Sequence, residues 1–408
     1  MSGTPIGPWR SARRRLARAI SALTGSSRQA RASHADTVHP GYGFLSKNWR
    51  FAEACQRAGL TFVGPSPDAI RRMGDETEAR RLMAAAGVPV VPGSHETTAH
   101  AVEAERVACE IGYPVMLKAA AGGGGIGMAR VDKAGELPTA FAMATRRAQA
   151  AFGRPDVYVE RYLERPRHVE IQVFGDGAGT VVHLHERDCS IQRRHQKLVE
   201  ESPAPNLAPT IKDGLARAAV AGARVIDYVN AGTMEFLVDT AGGFYFLEMT
   251  TRLQVEHPVT EEATGLDLVV AQLLVAAGER LPWRQEEIAP RYAAIECRVY
   301  AEDPAKGFLP SPGRVERLER PSGEGIRIES GVEAGSTVPI HDDPLLFKLI
   351  TRGASRAEAI ERMAAALERA RVEGVKTTVP FLRRPLASDA FRVGRVHTQM
   401  IEQGAFNG

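Results

Sequence analysis

Polar side chains alternate along residues 248–258, directly after an apolar, aromatic run that is typical of a β-strand. In an extended chain alternate residues face the same side, so five polar side chains would project together: Glu248, Thr250, Arg252, Gln254 and Glu256. Here Glu248 can bind a divalent cation, Arg252 can grip a planar anion, and Glu256 remains as a base. Taken alone, the stretch fits equally well a metal and anion site or a solvated strand end with surface ion pairs.

A second segment joins a lysine to a run of glycines. Residues 118–128 begin at Lys118 and contain the dinucleotide-binding spacing Gly122-x-Gly124-x-x-Gly127. That fingerprint should open into a helix, but residues 128–131 predict a returning strand, and a Walker loop places its lysine after the glycines. We interpret the run as a glycine hairpin that closes over phosphates, with Lys118 supplying positive charge from the strand below. The alternative is a mobile surface hairpin, which the folding entropy of four successive glycines disfavours.

A third segment, Glu186–Lys197, is dense in ionisable side chains. Such density is typical either of an exposed loop or of a cleft that binds phosphates and a small anion. The sequence of the segment does not by itself choose between them.

The elements that must position these residues alternate along the chain from Ala35 onwards and predict an α/β enzyme. Predicted strands cover residues 61–63, 114–119, 128–131, 157–162, 168–174, 180–185, 232–238 and 244–249. Predicted helices cover residues 51–59, 77–86, 102–111, 136–151 and 212–228. A last clear helix is predicted from Ser355, with Glu358 in the capping-box position, to near Gly374.

The composition excludes several classes of protein. The 408 residues are enough for roughly two to three domains. No apolar run reaches the roughly 18 residues of a membrane span, so no membrane association is predicted. Residues 1–34 contain seven arginines and no acid. The remainder is mildly acidic, which gives no electrostatic case for nucleic-acid binding. We interpret residues 1–34 as a disordered or non-native leader rather than a targeting signal.

The cysteines predict neither a zinc site nor a disulfide scaffold. Cys55, Cys109, Cys189 and Cys297 are far apart in the chain and form no Cys-x-x-Cys pair. Reduced thiols in a cytoplasmic protein are therefore expected, and none of the four is assigned a nucleophile's role.

Taken in order along the chain, these motifs closely resemble biotin carboxylase, the ATP-grasp component of biotin-dependent carboxylases. The resemblance runs from about Ala35 to the C-terminus. It rests on six stretches: residues 39–46, Lys118 with its glycines, and residues 167–172, 186–197, 248–258 and 296–298. One such motif would be weakly specific, whereas the ordered set is very specific.

The resemblance implies an α/β (α+β) architecture built on an ATP-grasp fold. Residues 35–79 would be the remnant of an N-terminal βα lobe. Residues 80–280 would form the ATP-grasp domain, with a glycine-loop lid at about residues 90–162, and residues 281–408 would form the C-terminal biotin carboxylase lobe.

The resemblance also implies a reaction that forms a carbon–nitrogen bond. ATP phosphorylates bicarbonate to carboxyphosphate, and the carboxyl group then passes to a ureido nitrogen of biotin. Magnesium or manganese would be held by Glu235, Glu248 and Thr250. The nucleotide would be bound by Lys118, Gly122, Gly123, Gly124, Gly125, Gly127, Glu160, Leu163, His168, Gln192, His195, Glu235 and Glu248.

Four residues would carry the carboxylation itself. Lys197 and Arg252 would hold bicarbonate, and Glu256 would take its proton. Arg298, together with Arg252, would stabilise the enolate-like biotin anion. The biotin and bicarbonate site would be completed by Tyr42, Gln254 and Val255.

The chain departs from the family pattern in four places. No family-like N-terminal βα segment with an Asn-Arg-Gly-Glu motif precedes Ala35, so most of that lobe is expected to be missing or replaced. Glu76 stands where the family usually has an ATP-contacting lysine, and Lys47 stands where it usually has a glutamate. Thr250 replaces an asparagine that supports the metal site.

The resemblance implies partners as well. The chain contains no Ala-Met-Lys-Met-type attachment sequence, so the biotin would be carried by a biotin carboxyl carrier protein or domain. A carboxyltransferase subunit would choose the acyl acceptor, with acetyl-CoA and fatty acid biosynthesis expected. A homodimer weakened by the missing lobe is expected too. The alternative is a degenerate homologue that serves as a binding subunit with little turnover, and other ATP-grasp ligases rank third.

Overall fold

The N-terminal part of the structure is a small layer of two strands and three helices. The structure is a computed structural model that describes residues 33–94, 96–98, 100–120, 128–340 and 343–407. In chain order the elements are β1 Thr37–Val38, α1 Trp49–Arg57, β2 Thr61–Phe62, α2 Pro67–Met73 and α3 Glu76–Ala85. Strands β1 and β2 pair in parallel. This unit overlaps the lobe that was expected at residues 35–79, but α3 continues six residues past that boundary, to Ala85.

Side-chain caps explain where these three helices begin. Asn48, Ser66 and Asp75 each accept hydrogen bonds from backbone N–H groups of the first helical turn, which otherwise lack partners. The third cap fixes the start of α3, so Glu76 is the first residue of that helix.

A second unit is a three-stranded antiparallel sheet covered by two helices. Its elements are α4 Ala101–Ile111, β3 Val115–Ala119, β4 Ala129–Val131, α5 Leu137–Phe152 and β5 Val157–Arg161. The strand order is β4-β3-β5. The return of β4 antiparallel to β3 confirms that the glycine run joins two strands and does not open into a helix. The glycines Gly122, Gly123, Gly124, Gly125 and Gly127 lie outside the described residues, as does the predicted leader up to residue 32.

The central region supplies five antiparallel strands of a large sheet. They are β6 Arg167–Gly175, β7 Val181–Arg193, β8 Gln196–Ser202, β9 Asn230–Val238 and β10 Phe244–Thr250. Three helices belong to this region: α6 Pro209–Val225, α7 His257–Thr264 and α8 Leu268–Ala276. An apolar core lies between α6 and the sheet, and a second core lies under α8.

The C-terminal region continues the same sheet. Its strands are β11 Ala293–Tyr300, β12 Glu302–Asp303, β13 Leu309–Pro310, β14 Gly313–Arg314, β15 Arg317–Glu319, β16 Ile326–Ser330, β17 Thr337–Val338, β18 Leu345–Gly353 and β19 Arg371–Glu373. Its helices are α9 Arg356–Arg369, α10 Val379–Ala387 and α11 Asp389–Arg392. The large sheet has eight strands in the order β10-β9-β6-β7-β8-β11-β18-β16. Because β11 pairs with both β8 and β18, the ATP-grasp region and the C-terminal lobe expected from the sequence share one sheet.

Three sequence-based predictions of boundaries are wrong, one of them for the helix expected at residues 212–228, which is observed at Pro209–Val225. The strand predicted to stop at residue 185 continues to Arg193, because its charged side chains find buried partners on neighbouring strands. The helix predicted to reach Gly374 ends at Arg369, and the next three residues after Ala370 pair with β15. Within the described ranges, each helix is too short or too polar to cross a bilayer.

Candidate active site

A cavity of about 640 Å³ opens between the small three-stranded sheet, the large sheet and the N-terminal unit. It is lined by fifteen of the residues predicted from the sequence: Lys118, Glu160, Leu163, His168, Gln192, His195, Lys197, Glu235, Glu248, Thr250, Arg252, Gln254, Val255, Glu256 and Arg298. Tyr42 does not line the cavity. Its hydroxyl lies 3.5 Å from Nδ1 of His257, and its ring lies 5.5 Å from the ammonium of Lys348.

Strand register brings two carboxylates side by side. Glu235 on β9 is the cross-strand partner of Glu248 on β10, so both side chains leave the same face of the sheet toward the cavity. Thr250 lies two residues further along that face, and its hydroxyl donates to Oε1 of Glu235 at 2.8 Å. The alternation read from the sequence therefore holds as far as Thr250.

Beyond Thr250 the extended-strand prediction is wrong. Strand β10 ends there, a turn follows, and Glu256 occupies the N-cap position of α7. Pro258 stands in the first turn of that helix, where a missing N–H costs nothing. Arg252, Gln254 and Glu256 still reach the cavity, but they do so from a turn and a helix start rather than from one face of a strand.

Glu235 is tied to four neighbours. It accepts hydrogen bonds from the side chains of Thr250 and Gln254 at 2.8 and 2.7 Å. Its other oxygen lies 2.8 Å from Nε2 of His168 and 3.2 Å from Nζ of Lys197. Burial alone would raise the pKa of Glu235, but Lys197 and His168 outweigh it and hold the pKa well below its usual range.

Glu248 and Arg252 differ from their neighbours because they form no ion pair within the described part of the chain. No hydrogen bond of the Glu248 carboxylate is found there. The guanidinium of Arg252 donates only to the carbonyl of Leu253, at 2.9 Å, and its buried Nε has no partner among those residues. One carboxylate and one guanidinium are thus available to a cation and an anion that enter the cavity.

The donor set therefore fits a hard divalent cation. Glu235 and Glu248 supply neighbouring carboxylate oxygens, and Thr250 supplies a hydroxyl beside them. His168, Glu170 and Glu235 also lie close enough to share an ion. In that group, however, Lys197 already neutralises both carboxylates, at 2.6 Å from Glu170 and 3.2 Å from Glu235. Glu248 forms no ion pair within the described residues, so Glu235, Glu248 and Thr250 form the better metal site.

Glu256 lies between two cations. Nζ of Lys197 is 2.6 Å from its Oε1, and Nη2 of Arg298 is 2.9 Å from its Oε2. Burial would raise the pKa of Glu256, but Lys197 and Arg298 outweigh it and lower the pKa far below its usual range. The group is therefore an anion when the cavity is empty of substrate.

A fully buried arginine, whose role was not predicted from the sequence, supports this array. Arg187 donates to Glu170 at 2.5 Å and to the side chain of Gln254 at 2.7 Å. It also donates to Gln172, Thr233 and Thr260. Segment 186–197 is thus not a loop: residues 186–192 are a buried part of β7, and an exposed two-residue turn leads from Arg193 into β8. The alternation of polar residues at 168, 170 and 172 on the neighbouring strand was the available signal.

The same cavity also carries the residues predicted to bind a nucleotide. His168 and Gln192 face each other, with 3.2 Å between Nδ1 and Nε2. Arg194 and His195 have positive φ angles of 48° and 68° and form the two-residue turn between β7 and β8. That turn sets His195 at the wall of the cavity, where burial lowers the pKa of its imidazole.

Lys118 is held between two carboxylates. Its ammonium lies 3.3 Å from Glu76 and 3.4 Å from Glu160, and Arg80 supports Glu160 at 3.1 Å. Burial would lower the pKa of Lys118, but Glu160 and Glu76 outweigh it and raise the pKa well above its usual value. Glu76, which also accepts a hydrogen bond from Tyr158, has its own pKa raised by burial. The departure at position 76 thus places a carboxyl group directly on Lys118.

Two buried cysteines lie near the charged residues of the site. Cys189 and Cys297 are fully buried, and burial raises the pKa of both thiols well above the usual value. Neither lines the cavity.

The fold and this cavity define an ATP-grasp ligase, and comparison with known proteins gives the family. The model of the carbamoyl-phosphate synthase L chain ATP-binding domain matches residues 75–284. The models of the biotin carboxylase N-terminal and C-terminal domains match residues 18–70 and 296–403. The chain belongs to the biotin carboxylase family. The N-terminal match begins inside the arginine-rich segment, so part of the N-terminal lobe is present.

Close relatives cover nearly the whole chain. Biotin carboxylase 2 of Bacillus subtilis is 50% identical over 92% of this chain and 84% of its own length. A pyruvate carboxylase subunit of Methanothermobacter thermautotrophicus is 48% identical over 90% of this chain and 75% of its own length. The biotin carboxylase domain dimer of Hydrogenobacter thermophilus 2-oxoglutarate carboxylase, crystallised with MgADP and bicarbonate, superposes with a TM-score of 0.92. It is 46% identical, over 94% of this chain and 85% of that domain.

Proposed function

We propose that this chain uses ATP and bicarbonate to carboxylate biotin on a carrier protein, by way of carboxyphosphate. One observation carries the proposal. The unpaired Glu248 and Arg252 lie in the same cavity as the anionic Glu256 and its two cations, Lys197 and Arg298. This arrangement offers separate places for a metal ion, a small anion and a base.

In the proposed reaction, bicarbonate binds between Lys197 and Arg252, where both cations can contact its oxygens. An anion that takes up part of the charge of Lys197 weakens the hold of that lysine on Glu256. The pKa of Glu256 then rises toward that of an ordinary carboxylate, so the group becomes a better base as the substrate arrives. Glu256 accepts the bicarbonate proton, and the resulting oxyanion attacks the γ-phosphorus of ATP. The bond from that phosphorus to the bridging oxygen breaks, so carboxyphosphate forms and ADP leaves.

Negative charge would be stabilised in both steps of the reaction, on the phosphates of ATP and on biotin. Glu235 and Glu248, with Thr250 beside them, would hold Mg²⁺ or Mn²⁺, and the ion supplies positive charge to the phosphate oxygens. Arg298 and Arg252 would stabilise the biotin anion that attacks the carboxyl carbon of carboxyphosphate, with phosphate as the leaving group and as the acceptor of the ureido proton. Gln254 and Val255 line the same cavity, while a role for Tyr42 would require it to move toward the cavity.

The nucleotide is assigned to the same cavity, beside the proposed metal site. Lys118 and His195 would meet the phosphates, together with the glycines of residues 122–127. His168 and Gln192 would face the ribose. Glu160 and the backbone at Leu163 would meet the adenine. All five side chains and Leu163 line the cavity, which supports this assignment.

We also propose that the carboxyl group ends on acetyl-CoA, through a biotin carboxyl carrier protein and a carboxyltransferase, in fatty acid biosynthesis. The relatives named above include parts of pyruvate and 2-oxoglutarate carboxylases, so the acceptor is the part to test with purified partners. A cytoplasmic location fits the four cysteines, which form no disulfide. A homodimer is proposed from the dimeric Hydrogenobacter domain.

A second candidate is a weakly active homologue that serves as a binding subunit. The ion pair between Glu76 and Lys118 favours it, because the phosphates of ATP must compete with Glu76 for this lysine. Thr250 adds to it, since a short hydroxyl already committed to Glu235 reaches a metal less easily than an amide oxygen.

Bicarbonate-dependent ATP hydrolysis with free biotin separates the two candidates. We expect hydrolysis that requires both bicarbonate and biotin, and its loss in Glu256→Gln, which keeps the shape of the side chain but removes the base. Glu262→Gln, a change in the same helix at a partly exposed side chain that pairs with Arg327 and Arg352, is the matched control. Folded wild-type protein that hydrolyses no ATP above background would refute the active-enzyme proposal.

A further inference from the structure

Two buried carboxyl groups face each other directly behind the cavity. Glu200 on β8 and Glu296 on β11 are register partners in adjacent antiparallel strands. Both residues are 0% exposed. Residues paired in this way have Cβ atoms roughly 5 Å apart, so the two carboxyl groups are immediate neighbours.

The partners of the two groups are unequal. Oε1 of Glu200 accepts a hydrogen bond from Nε of Arg298 at 2.5 Å. The other oxygen of Glu200 and both oxygens of Glu296 have no hydrogen-bond partner within the described residues. Three of four buried carboxyl oxygens therefore lack the donors that a pair of ionised carboxylates would need.

Two neighbouring carboxylates in such a place cannot both stay ionised, since each disfavours the charge of the other and neither is hydrated. Burial raises the pKa of Glu200 to about 7, against the opposing effect of Arg298. Burial also raises the pKa of Glu296 well above the usual value, although Lys348 opposes the shift. The group that contacts Arg298 is thus the one that ionises first.

We propose that Glu200 and Glu296 form a carboxyl pair with one negative charge, in which Glu296 stays protonated and Glu200 positions Arg298 for the carboxylation of biotin. The guanidinium is held by Glu200 at Nε and by Glu256 at Nη2, whereas Nη1 has only a 3.5 Å contact with Tyr300. The site assigned to Arg298 rests on the proposed function. Glu200 itself does not line the cavity, so it acts through Arg298 as a positioning residue.

The charge of the pair responds to the groups around it on every neighbouring element. These are Lys197 on β8, Arg298 and Tyr300 on β11, Lys348 on β18, Glu256 at the start of α7, Tyr42 of the N-terminal unit, and the thiols of Cys189 and Cys297. Protonation of Glu200 as the pH falls through about 7 removes the anion that fixes Nε of Arg298. We therefore expect part of the pH dependence of biotin carboxylation near neutrality to come from Glu200.

A matched pair of variants tests the positioning role. Glu200→Gln removes the negative charge that pairs with Arg298. Glu201→Gln removes a similarly buried negative charge at the next residue, where the partner is Arg356. We expect Glu200→Gln to lower kcat/KM for biotin by about tenfold or more, to leave KM for ATP unchanged and to lose the pH dependence near neutrality. Glu201→Gln should keep wild-type kinetics. Wild-type kcat/KM and an unaltered pH profile in Glu200→Gln would overturn the proposal.

A second variant tests the shared charge without any turnover. Infrared spectra of the wild type at about pH 9, where most buried carboxyls are ionised, should keep a protonated-carboxyl band that Glu296→Gln removes. Because its side chain cannot ionise, Glu296→Gln should also become progressively more stable than the wild type as the pH rises. A band that survives in Glu296→Gln, with no stability gain, overturns the pair even if Glu200→Gln fails to fold. If the wild type hydrolyses no ATP, the proposed function fails, but these two readouts still decide the pair.

Discussion

At the scale of single residues, the types and order of polar side chains predicted the cavity well but not the pairing within it. Fifteen predicted residues line one cavity. Their order along the chain did not indicate that Glu235 and Glu256 form ion pairs, whereas Glu248 and Arg252 form none within the described residues. Pairing depends on which strands become neighbours, and a single sequence does not contain that information. The same limit explains why Glu200 and Glu296 were not predicted to interact, 96 positions apart and in direct register.

Glu76 is the residue whose replacement should change nucleotide binding most simply. Its carboxylate holds Lys118 at 3.3 Å, so we expect Glu76→Gln to free this lysine and tighten ATP binding. A unit charge about 5 Å from a phosphate is worth on the order of 1 to 3 kcal/mol at an effective dielectric near 20. Glu76→Lys should tighten binding further. Titration calorimetry with ATP measures both.

The matched control for position 76 is Glu78→Gln in the same helix. Glu78 pairs with Arg71 and Arg72 and lies away from Lys118. Its replacement should leave ATP affinity unchanged. Unchanged or weaker affinity in Glu76→Gln and Glu76→Lys would contradict the competition between Glu76 and the phosphates.

At the scale of elements, apolar and glycine patterns predicted most strands and helices, whereas charged stretches were harder to interpret. Segment 186–197 was left open between an exposed loop and a cleft, but residues 186–193 continue a central strand because Arg187 and Asp188 pair with Glu170 and Arg167 on the neighbouring strand. The turn after Thr250 and the strand at residues 371–373 were missed for a related reason. Their conformations are imposed by α7 and by β15, whose contacts with them are not visible in the local pattern.

Arg187 joins four of these elements, so its replacement tests how they are held together. It donates to side chains from β6, β9, α7 and the turn before α7, and it is fully buried. Arg187→Lys keeps the charge but cannot reproduce the planar fork, which leaves buried acceptors without donors. We expect a loss of about 3 kcal/mol in the free energy of unfolding, measured in urea. Arg317→Lys, in an exposed pair with Glu319, should change stability by about 0.5 kcal/mol or less. A comparable loss in the two variants would refute the special role of Arg187.

At the scale of the whole molecule, the resemblance predicted the order of regions but not their continuity. The boundary expected near residue 280 falls between β10 and β11, yet one sheet of eight strands crosses it through the β8–β11 pairing. Lys197 and Arg298 reach the same carboxylate because they come from these two adjacent strands. The active site is therefore built on the joint between the two regions.

A second ion pair also crosses this joint and should give the stability of the whole chain a measurable pH dependence. Glu201 on β8 accepts from Nε of Arg356 on α9 at 2.6 Å, and burial raises the pKa of Glu201 to about 7. A carboxyl whose pKa is raised in the folded state contributes stability below its unfolded pKa and loses it as the pH rises through the folded one. The wild type should therefore lose about 2 to 3 kcal/mol relative to Glu201→Gln between pH 4.5 and 7. Urea unfolding at several pH values measures this slope, and two parallel curves would show that Glu201 ionises normally in the folded protein.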